Sequence, residues 1–416
     1  MTSTSEPAAA LGTRLDALVG ADESLLVELR RDLHAHPELS GRETATTAWL
    51  GQHLRDLGLA PVRLDVGTGL VCDVPLGGAV AGDGSPVVAL RADIDALAMQ
   101  DGKQVGYRSQ NDGASHACGH DVHTTVLVGA ARALVALAPD VPAKGHVRLV
   151  FEPAEESVPG GAVDVVAEGW LDGVAAIFGL HCDPKVDVGH VGCRVGALTS
   201  AADLVEVRVS GPGGHTARPG ATVDLVDVLG RLVTGLQPAI DGLTEHPGDL
   251  QIVFGAVHAG DAANVIPAAG VLRGSLRTRD HEVWLRTPDL FRTALDGILR
   301  TTHAGWEVEH RRGVPPVLND VAMTAVLAAA ATRVLGAGGV VETEQSLGGD
   351  SFAWYLERIP GSYARLGVHD PRSSAPRLDL HASTFDVDER AIGIGVRVLV
   401  TAALDTLESL TLAAAT

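Results

Sequence analysis

Apolar positions recur at two different periods along this chain, and the changes of period mark its organisation. Near 22–34 and 42–58 they return every three to four residues, which predicts two helices. Short apolar runs bounded by Gly, Asp and Pro follow. VVALRAD (87–93), HVRLVFE (146–152) and AAIFGLH (175–181) read as buried strands, and 122–138 (VHTTVLVGAARALVALA) reads as a helix among them. Strands alternating with helices predict an α/β fold, a mixed sheet with helices on both faces.

Between 204 and 311 the pattern changes. LVEVRVSG (204–211) alternates with period two, as a half-buried strand does. A helix near 222–238, strands near 250–258 and 270–278, a helix near 284–301 and a strand near 305–311 complete a ferredoxin-like β-α-β-β-α-β order. RGVPPVLN (312–319) is a Pro-rich return, after which the α/β style resumes and ends in a long helix near 387–413. The expected organisation is a catalytic domain in two parts, 1–199 and 312–416, interrupted by a smaller domain at 200–311. Residues 1–20 read as a flexible start. A length of 416 residues suits two domains better than one.

Charge narrows the function. A formal net charge of −20 argues against nucleic acid as a partner, because phosphate binding needs a surplus of Lys and Arg. No apolar run approaches the roughly 18 residues of a membrane span, and MTSTSEPAAALG lacks the basic start and apolar stretch of a secretory peptide. Four cysteines (Cys72, Cys118, Cys182, Cys193) make no disulfide framework, so a reducing cytoplasm is the expected compartment.

The densest chemical signal is HACGHDVH (116–123). Cys118 and His120 stand two apart, so on an extended backbone both would leave one face and reach one ion. Asp121 is placed to cap the following helix. A polar helix start is the bland alternative, but ligand-type residues seldom cluster so densely by accident. FEPAEE (151–156) places adjacent carboxylates at a strand's carboxyl end, where ligand sites of open α/β sheets form. One can ligate a metal while its neighbour takes a proton from water; a lone glutamate pair would otherwise be a solvated surface. His181 ends AAIFGLH and His381 lies in LDLHASTFDVDE (378–389). A lone histidine after an apolar run is usually structural, yet both repeat the pattern of FEPAEE, a buried strand tipped by a ligand-type residue. Cys118, His120, Glu156, His181 and His381 are therefore five candidate ligands. Five suit two divalent ions sharing a bridge, about 3.5–4 Å apart in two-metal hydrolases.

RADIDAL (91–97), HACGHDVH, PAEE, GLH (179–181), GPGGHTARP (211–219), NVIP (264–267) and LHASTFDVDE occur in that order. Together they resemble the hippurate hydrolase and indole-acetyl-amino-acid hydrolase family, relatives of aminoacylases and di-zinc carboxypeptidases, over residues 22–410. The resemblance implies a di-zinc exopeptidase-like catalytic domain whose insert is a lid and dimerisation domain. It implies that Cys118 bridges, that His120 and His181 complete one metal, and that Glu156 and His381 complete the other. Glu155 would be the general base, later passing its proton to the leaving amine, and Asp93 would support the metals from behind. His215 matches a histidine that relatives send across a dimer interface to polarise the scissile carbonyl. Asn264 and Arg277 match positions that hold the substrate's free carboxylate. Without the resemblance, His215 reads as a turn residue and Arg277 as a strand-surface charge paired with an acid such as Asp280.

The implied activity is metal-dependent hydrolysis of a small N-acyl amino acid, hippurate-like or N-acetylated, to a carboxylic acid and an amino acid. Zinc or manganese is the expected metal, with cobalt and nickel as alternatives, and a homodimer or a dimer of dimers the expected assembly. A dipeptidase or aminopeptidase on the same scaffold is the near rival, and would need a site for a free amino group that the sequence does not display. A catalytically dead metal-binding scaffold is the rival of another class, and Glu155 beside a full ligand set argues against it. Two places depart from the family. Glu152 stands where relatives commonly carry Gln, as a solvated rim residue or an influence on metal preference. GGDSF (348–352) stands where relatives often show GGEDF, which leaves substrate contacts there open. Cys182 reads as a small core residue.

Overall fold

The computed structural model describes residues 5–373 and 376–414. The chain forms two compact units, one of residues up to Gly196, Leu318–Glu344 and from Ser351 onward, the other of Ala197–Val317 and Gln345–Asp350. Each has its own apolar core.

The first unit is built on an eight-stranded mixed sheet. Its centre runs Gly145–Glu152, Val87–Asp93, Val174–Asp187 and Gly361–His369, neighbours lying parallel. Leu70–Leu76 is antiparallel to the Gly145–Glu152 strand, and Val191–Cys193 is antiparallel to Gly361–His369. Val87–Asp93 is buried at every position after the first and Gly361–His369 at every position before the last, so both faces of the sheet are covered. This explains why these strands read as unbroken apolar runs rather than as alternation. Helices Ser5–Ala35, His120–Leu137, Val321–Leu335 and Arg390–Ala414 pack against one another and the sheet. The parallel strands share a direction, so Asp93, Glu152 and His181 come to the same edge; Asp93 and Glu152 are register partners.

The chain start departs from the sequence expectation. From Ser5 the described residues are helical to Ala35, because Leu15, Val19 and Leu26 share a face and are buried in the core. The strand expected to end at His181 continues to Asp187.

The second unit has the β-α-β-β-α-β order, with a four-stranded antiparallel sheet in which Ala269–Thr278 and Ala201–Ser210 are central and Leu250–His258 and Gly305–Val314 are the edges. Helix Leu225–Asp241 buries Leu225, Val228, Leu229, Leu232, Leu236 and Ile240, one face at helical spacing. It starts where the Asp224 carboxylate accepts from the N–H groups of Val226 and Asp227. Asp280 caps helix His281–Leu299 in the same way through Val283. This unit is larger than the span 200–311 read from the pattern. Leu198 N–H donates to Val317 O at 2.8 Å, and Ser200 N–H to Gly348 O at 2.9 Å. The Gln345 amide donates to the carbonyls of Thr199 and Arg279, both at 2.9 Å. These bonds draw in 345–350, a segment without strand pattern that sequence alone left in the other part.

Candidate metal centre and active site

His181 lies on strand Val174–Asp187, and the other candidate ligands are carried by three loops, each of which contains a residue in the left-handed region. Gly119 (φ 89°) turns the chain between Cys118 and the start of helix His120–Leu137. The two side chains are therefore brought together by a turn, not by the extended backbone that their spacing suggested. A Cβ on Gly119 would stand 2.8 Å from the Cys182 sulfur, so the turn tolerates only glycine. Ala154 (φ 54°) precedes Glu155, and His381 itself has φ 64°. Such conformations cost a non-glycine residue on the order of 1–3 kcal/mol and persist only when the surroundings enforce them. For Ala154 the enforcing contact is Glu43, whose buried carboxylate accepts from its N–H at 2.9 Å. For His381 it is its own N–H, which donates to Ala117 O at 2.8 Å and ties 378–389 to the 116–118 loop. His381 thus lies in a turn, exposed, and not at a strand tip.

The ligand atoms of Cys118, His120 and His181 all lie within 4.8 Å of one another, and so do those of Cys118, Glu156 and His381. Cys118 belongs to both sets. Its Sγ is 3.5 Å from His181 Nε2, while His181 Nδ1 is 2.7 Å from Cys182 O and must carry the proton that it donates there. His181 Nε2 is then a bare acceptor. Burial, then the neighbouring His123 and Arg365, holds His181 well below the usual histidine range, which keeps the neutral ligand form. Burial also pushes the Cys118 thiol far up, so its thiolate requires a cation beside it. Glu156 Oε1 is 3.4 Å from His381 Nε2 and 3.9 Å from His120 Nε2. His120 Nε2 and Glu156 Oε1 are buried without a hydrogen-bond partner among the described residues. Two orphaned acceptors converging beside a shielded thiol fit a divalent cation.

Asp95 holds this geometry, and the sequence reading missed it. His120 Nδ1 lies 3.0 Å from Asp95 O and 3.1 Å from its Oδ1, which aims Nε2 inward. Asp95 Oδ2 accepts from Glu156 N–H at 3.0 Å and Ser40 Oγ–H at 2.6 Å. The available signal was the doublet Asp93–Ile94–Asp95, whose two carboxylates follow directly on a buried strand. Asp93 Oδ2 lies 3.8 Å from His120 Nε2 and accepts from Arg91 Nη1 at 2.6 Å; Oδ1 accepts from His123 Nδ1–H at 2.6 Å. His123 Nε2 in turn accepts from Cys182 N–H at 2.8 Å, so both ring nitrogens are committed to the scaffold.

One further expectation fails here, and one of the two alternatives for Glu152 falls away. Asp121 does not cap its helix. It is buried inside the first turn, accepting from Arg30 Nε and His34 Nδ1, each at 2.7 Å. Arg30 also reaches Asp386 at 2.9 Å and so joins helices Ser5–Ala35 and His120–Leu137 to the loop carrying His381. Nor is Glu152 a solvated rim residue. It is fully buried, accepting from Arg91 Nε at 2.7 Å, Tyr355 OH at 2.8 Å and the Ser351 hydroxyl. Cys182 is buried, and all four cysteines are free.

Glu155 is half-buried, and its Oε1 accepts from Ser351 N–H at 3.2 Å. His215, Asn264 and Arg277 belong to the second unit. His215 is exposed on a two-residue strand, opposite Val265, and its neighbour Thr216 donates its N–H to Asn264 O at 3.2 Å. Arg277 does not pair with Asp280 as the bland alternative had it; Asp280 is occupied as a helix cap, and Arg277 Nη1 donates to Leu347 O at 2.7 Å.

The pattern of Peptidase family M20/M25/M40 matches residues 89–405. An N-acetyl-L-cysteine deacetylase of Bacillus subtilis is 36% identical over 371 residues, which is 89% of this chain and 85% of that protein. A Rhodococcus jostii protein described as a putative glutamate–cysteine ligase 2-3 is 47% identical over 379 residues, 91% of this chain; the chain spans only 46% of that longer protein. A solved Bacillus subtilis structure described as a dinuclear metal-binding peptidase from the M20 family superposes with a TM-score of 0.80 at 32% identity, covering 94% of this chain and 99% of that one. The chain belongs to peptidase family M20/M25/M40. Within it, the protein is a metal-dependent amidohydrolase. Among the described residues, no helix is long and apolar enough to cross a membrane.

Proposed function

We propose that this protein hydrolyses the amide bond of a small N-acyl amino acid with two divalent ions, Cys118, His120 and His181 holding one and Cys118, Glu156 and His381 the other. The observation that carries this reading is the convergence of two three-residue ligand sets on Cys118, with His120 Nε2 and Glu156 Oε1 buried and, among the described residues, without a hydrogen-bond partner. The ions, when bound, supply Lewis acidity to the scissile carbonyl and to water. Zinc or manganese suits the mixed sulfur, nitrogen and oxygen donors, with cobalt and nickel as alternatives.

The chain's own residues do the rest. Glu155 takes the proton of the attacking water and returns it to the departing nitrogen. Its carboxylate is oriented for this by Ser351 N–H. Asp95 fixes the His120 ring and the Glu156 backbone together, and Asp93 supports the centre from behind. The second unit acts as lid and dimerisation domain, His215 polarising the carbonyl across a dimer interface and Asn264 and Arg277 holding the substrate's free carboxylate. The substrate class is favoured by the relatives' names, an N-acetyl-L-cysteine deacetylase and an IAA-amino acid hydrolase of Arabidopsis thaliana. A panel of N-acetyl and N-benzoyl amino acids, assayed beside dipeptides with a free amino group and with and without chelator, tests it. Metal-dependent turnover confined to the N-acyl compounds is expected. Turnover of free-amino dipeptides alone would favour the peptidase reading, and a rate untouched by full chelation would end both.

A further inference from the structure

We infer that Ser351 is a positioning residue for Glu155, held in place by a hydrogen bond to the buried Glu152. The inference rests on the reading of Glu155 as the general base. Ser351 is fully buried and uses its main chain and its side chain for different partners. Its N–H meets Glu155 Oε1 at 3.2 Å. Its hydroxyl donates to Glu152 Oε1 and accepts from Arg91 Nη2 at 3.1 Å. Burial pushes the Glu152 carboxyl up, and Arg91, Ser351 and Tyr355 act against that shift. The hydroxyl is therefore clamped between a guanidinium and a carboxylate, both inside the sheet edge, and its rotamer is determined.

The loop bearing Glu155 closes on the same residue. A Cβ on Gly160 would stand 2.4 Å from Ser351 Cβ, so the loop returns flush against the serine. Trp354 Nε1–H, three residues on, donates to Pro159 O at 3.0 Å. At the other end Glu43 holds Ala154 N–H in its left-handed turn. Glu155 thus sits on a loop pinned at both ends, and Ser351 is the pin that touches its carboxylate. A general base must lie within hydrogen-bond reach of the proton it removes, and displacement of about 1 Å can cost roughly 10²-fold in rate.

An acid stands at 152 and a hydroxyl at 351. This places one carboxylate and one neutral partner in contact beside Arg91, whereas two carboxylates would repel strongly at so buried a place.

The test uses metal-loaded protein, measuring kcat, KM and bound metal for Ser351→Ala, Ser351→Asp, the exchange Glu152→Gln/Ser351→Asp, and Glu155→Gln. Ser351→Ala is expected to lower kcat by about tenfold or more, with KM and metal content near wild type, because the defect lies in the proton-transfer step. Ser351→Asp is expected to be impaired at least as much, and the exchange to recover most of the loss. Should the single variants fail to fold, the exchange decides alone: a folded, metal-replete exchange variant with near wild-type kcat supports the pairing, and one without activity overturns it. A Ser351→Ala whose rate falls only in proportion to lost metal also overturns the positioning role. Glu155→Gln separates the two levels. If it keeps its rate, the base assignment fails; if it is inactive while Ser351→Ala keeps full kcat, only the positioning inference fails.

Discussion

His120 Nε2 and Glu156 Oε1 face each other at 3.9 Å, buried, with no hydrogen bond to any described residue. The His120 side chain is held there by Asp95 through Nδ1, and the Glu156 main chain by the same carboxylate through its N–H. Burial opposes a charge on His120, but Asp93 and Asp95 outweigh it and hold its pKa well above the usual range. The Asp93 and Asp95 carboxylates that favour a proton on His120 would favour a cation beside it by the same field.

Adjacent glutamates should consequently fail in different ways. Glu156→Gln removes a charged ligand and is expected to lose bound metal together with rate. Glu155→Gln is expected to keep most of its metal and its fold yet lose about 10²–10⁴-fold in kcat, the usual worth of a placed general base. Elemental analysis paired with kinetics on both variants checks this, and the opposite pattern would exchange the two roles.

Among the cysteines, Cys118→Ser should lower metal content most. Cys118 alone belongs to the ligand sets, and a hydroxyl is a far poorer ligand than a thiolate. Cys72 and Cys182 are also buried, but Cys72 is a strand residue of the apolar core and Cys182 packs against Gly119. Their serine variants should cost stability, on the order of 1–3 kcal/mol for a hydroxyl buried without a full partner, while retaining metal. Metal content equal to wild type in Cys118→Ser would remove it from the centre.

How much of this was legible in the sequence depends on range. Strand Val87–Asp93 was readable to the residue, because burial on both faces leaves an uninterrupted apolar run. The ligand residues were readable as chemistry but not as geometry. Cys118 and His120 meet through a left-handed glycine, and His381 through a bond to Ala117, and neither contact has a periodic signature. Asp95 and Glu43 were missed because an acidic residue in a loop or at the start of a helix normally reads as solvated; only the fold shows them turned inward. Arg30 was hidden for a similar reason: a charge on an amphipathic helix is expected outside, and here three acids from distant segments compensate its burial.

Acid stability offers a test inside the second unit. Asp203 is buried and accepts from His310 Nε2 at 2.6 Å, Gly313 N–H at 2.9 Å and Trp284 Nε1–H at 3.0 Å. Burial alone would raise its pKa, but these partners and Arg312 hold it below the ordinary aspartate value. A carboxylate depressed in the folded state stabilises above its unfolded pKa of about 3.9 and loses that contribution as pH falls through the folded value. Asp203→Asn should therefore cost on the order of 1–3 kcal/mol at pH 7, and the gap to wild type should shrink below about pH 4. Urea unfolding followed by tryptophan fluorescence at several pH values reads both; a gap that widens in acid would contradict the assignment.

The last prediction concerns what Arg277 recognises. It is half-buried at the end of strand Ala269–Thr278, and one guanidinium nitrogen is committed to Leu347 O at 2.7 Å. That bond links the arginine to the segment 345–350, which belongs to the second unit. A guanidinium fixed at one corner keeps donors in a set plane, the condition for charge-assisted bonding to a planar carboxylate. If Arg277 and Asn264 hold the substrate's free acid, binding energy far from the scissile bond enters turnover as well as affinity. Wild type should then prefer an N-acyl amino acid over its methyl ester, by roughly 10–100-fold in kcat/KM for one charge-assisted bond. Arg277→Ala should lose most of that preference, by lowering the rate on the free acid while leaving the ester nearly unchanged. Competition assays with both substrates in both proteins measure it directly. A preference of equal size in wild type and variant would return Arg277 to a purely structural role, bracing Leu347.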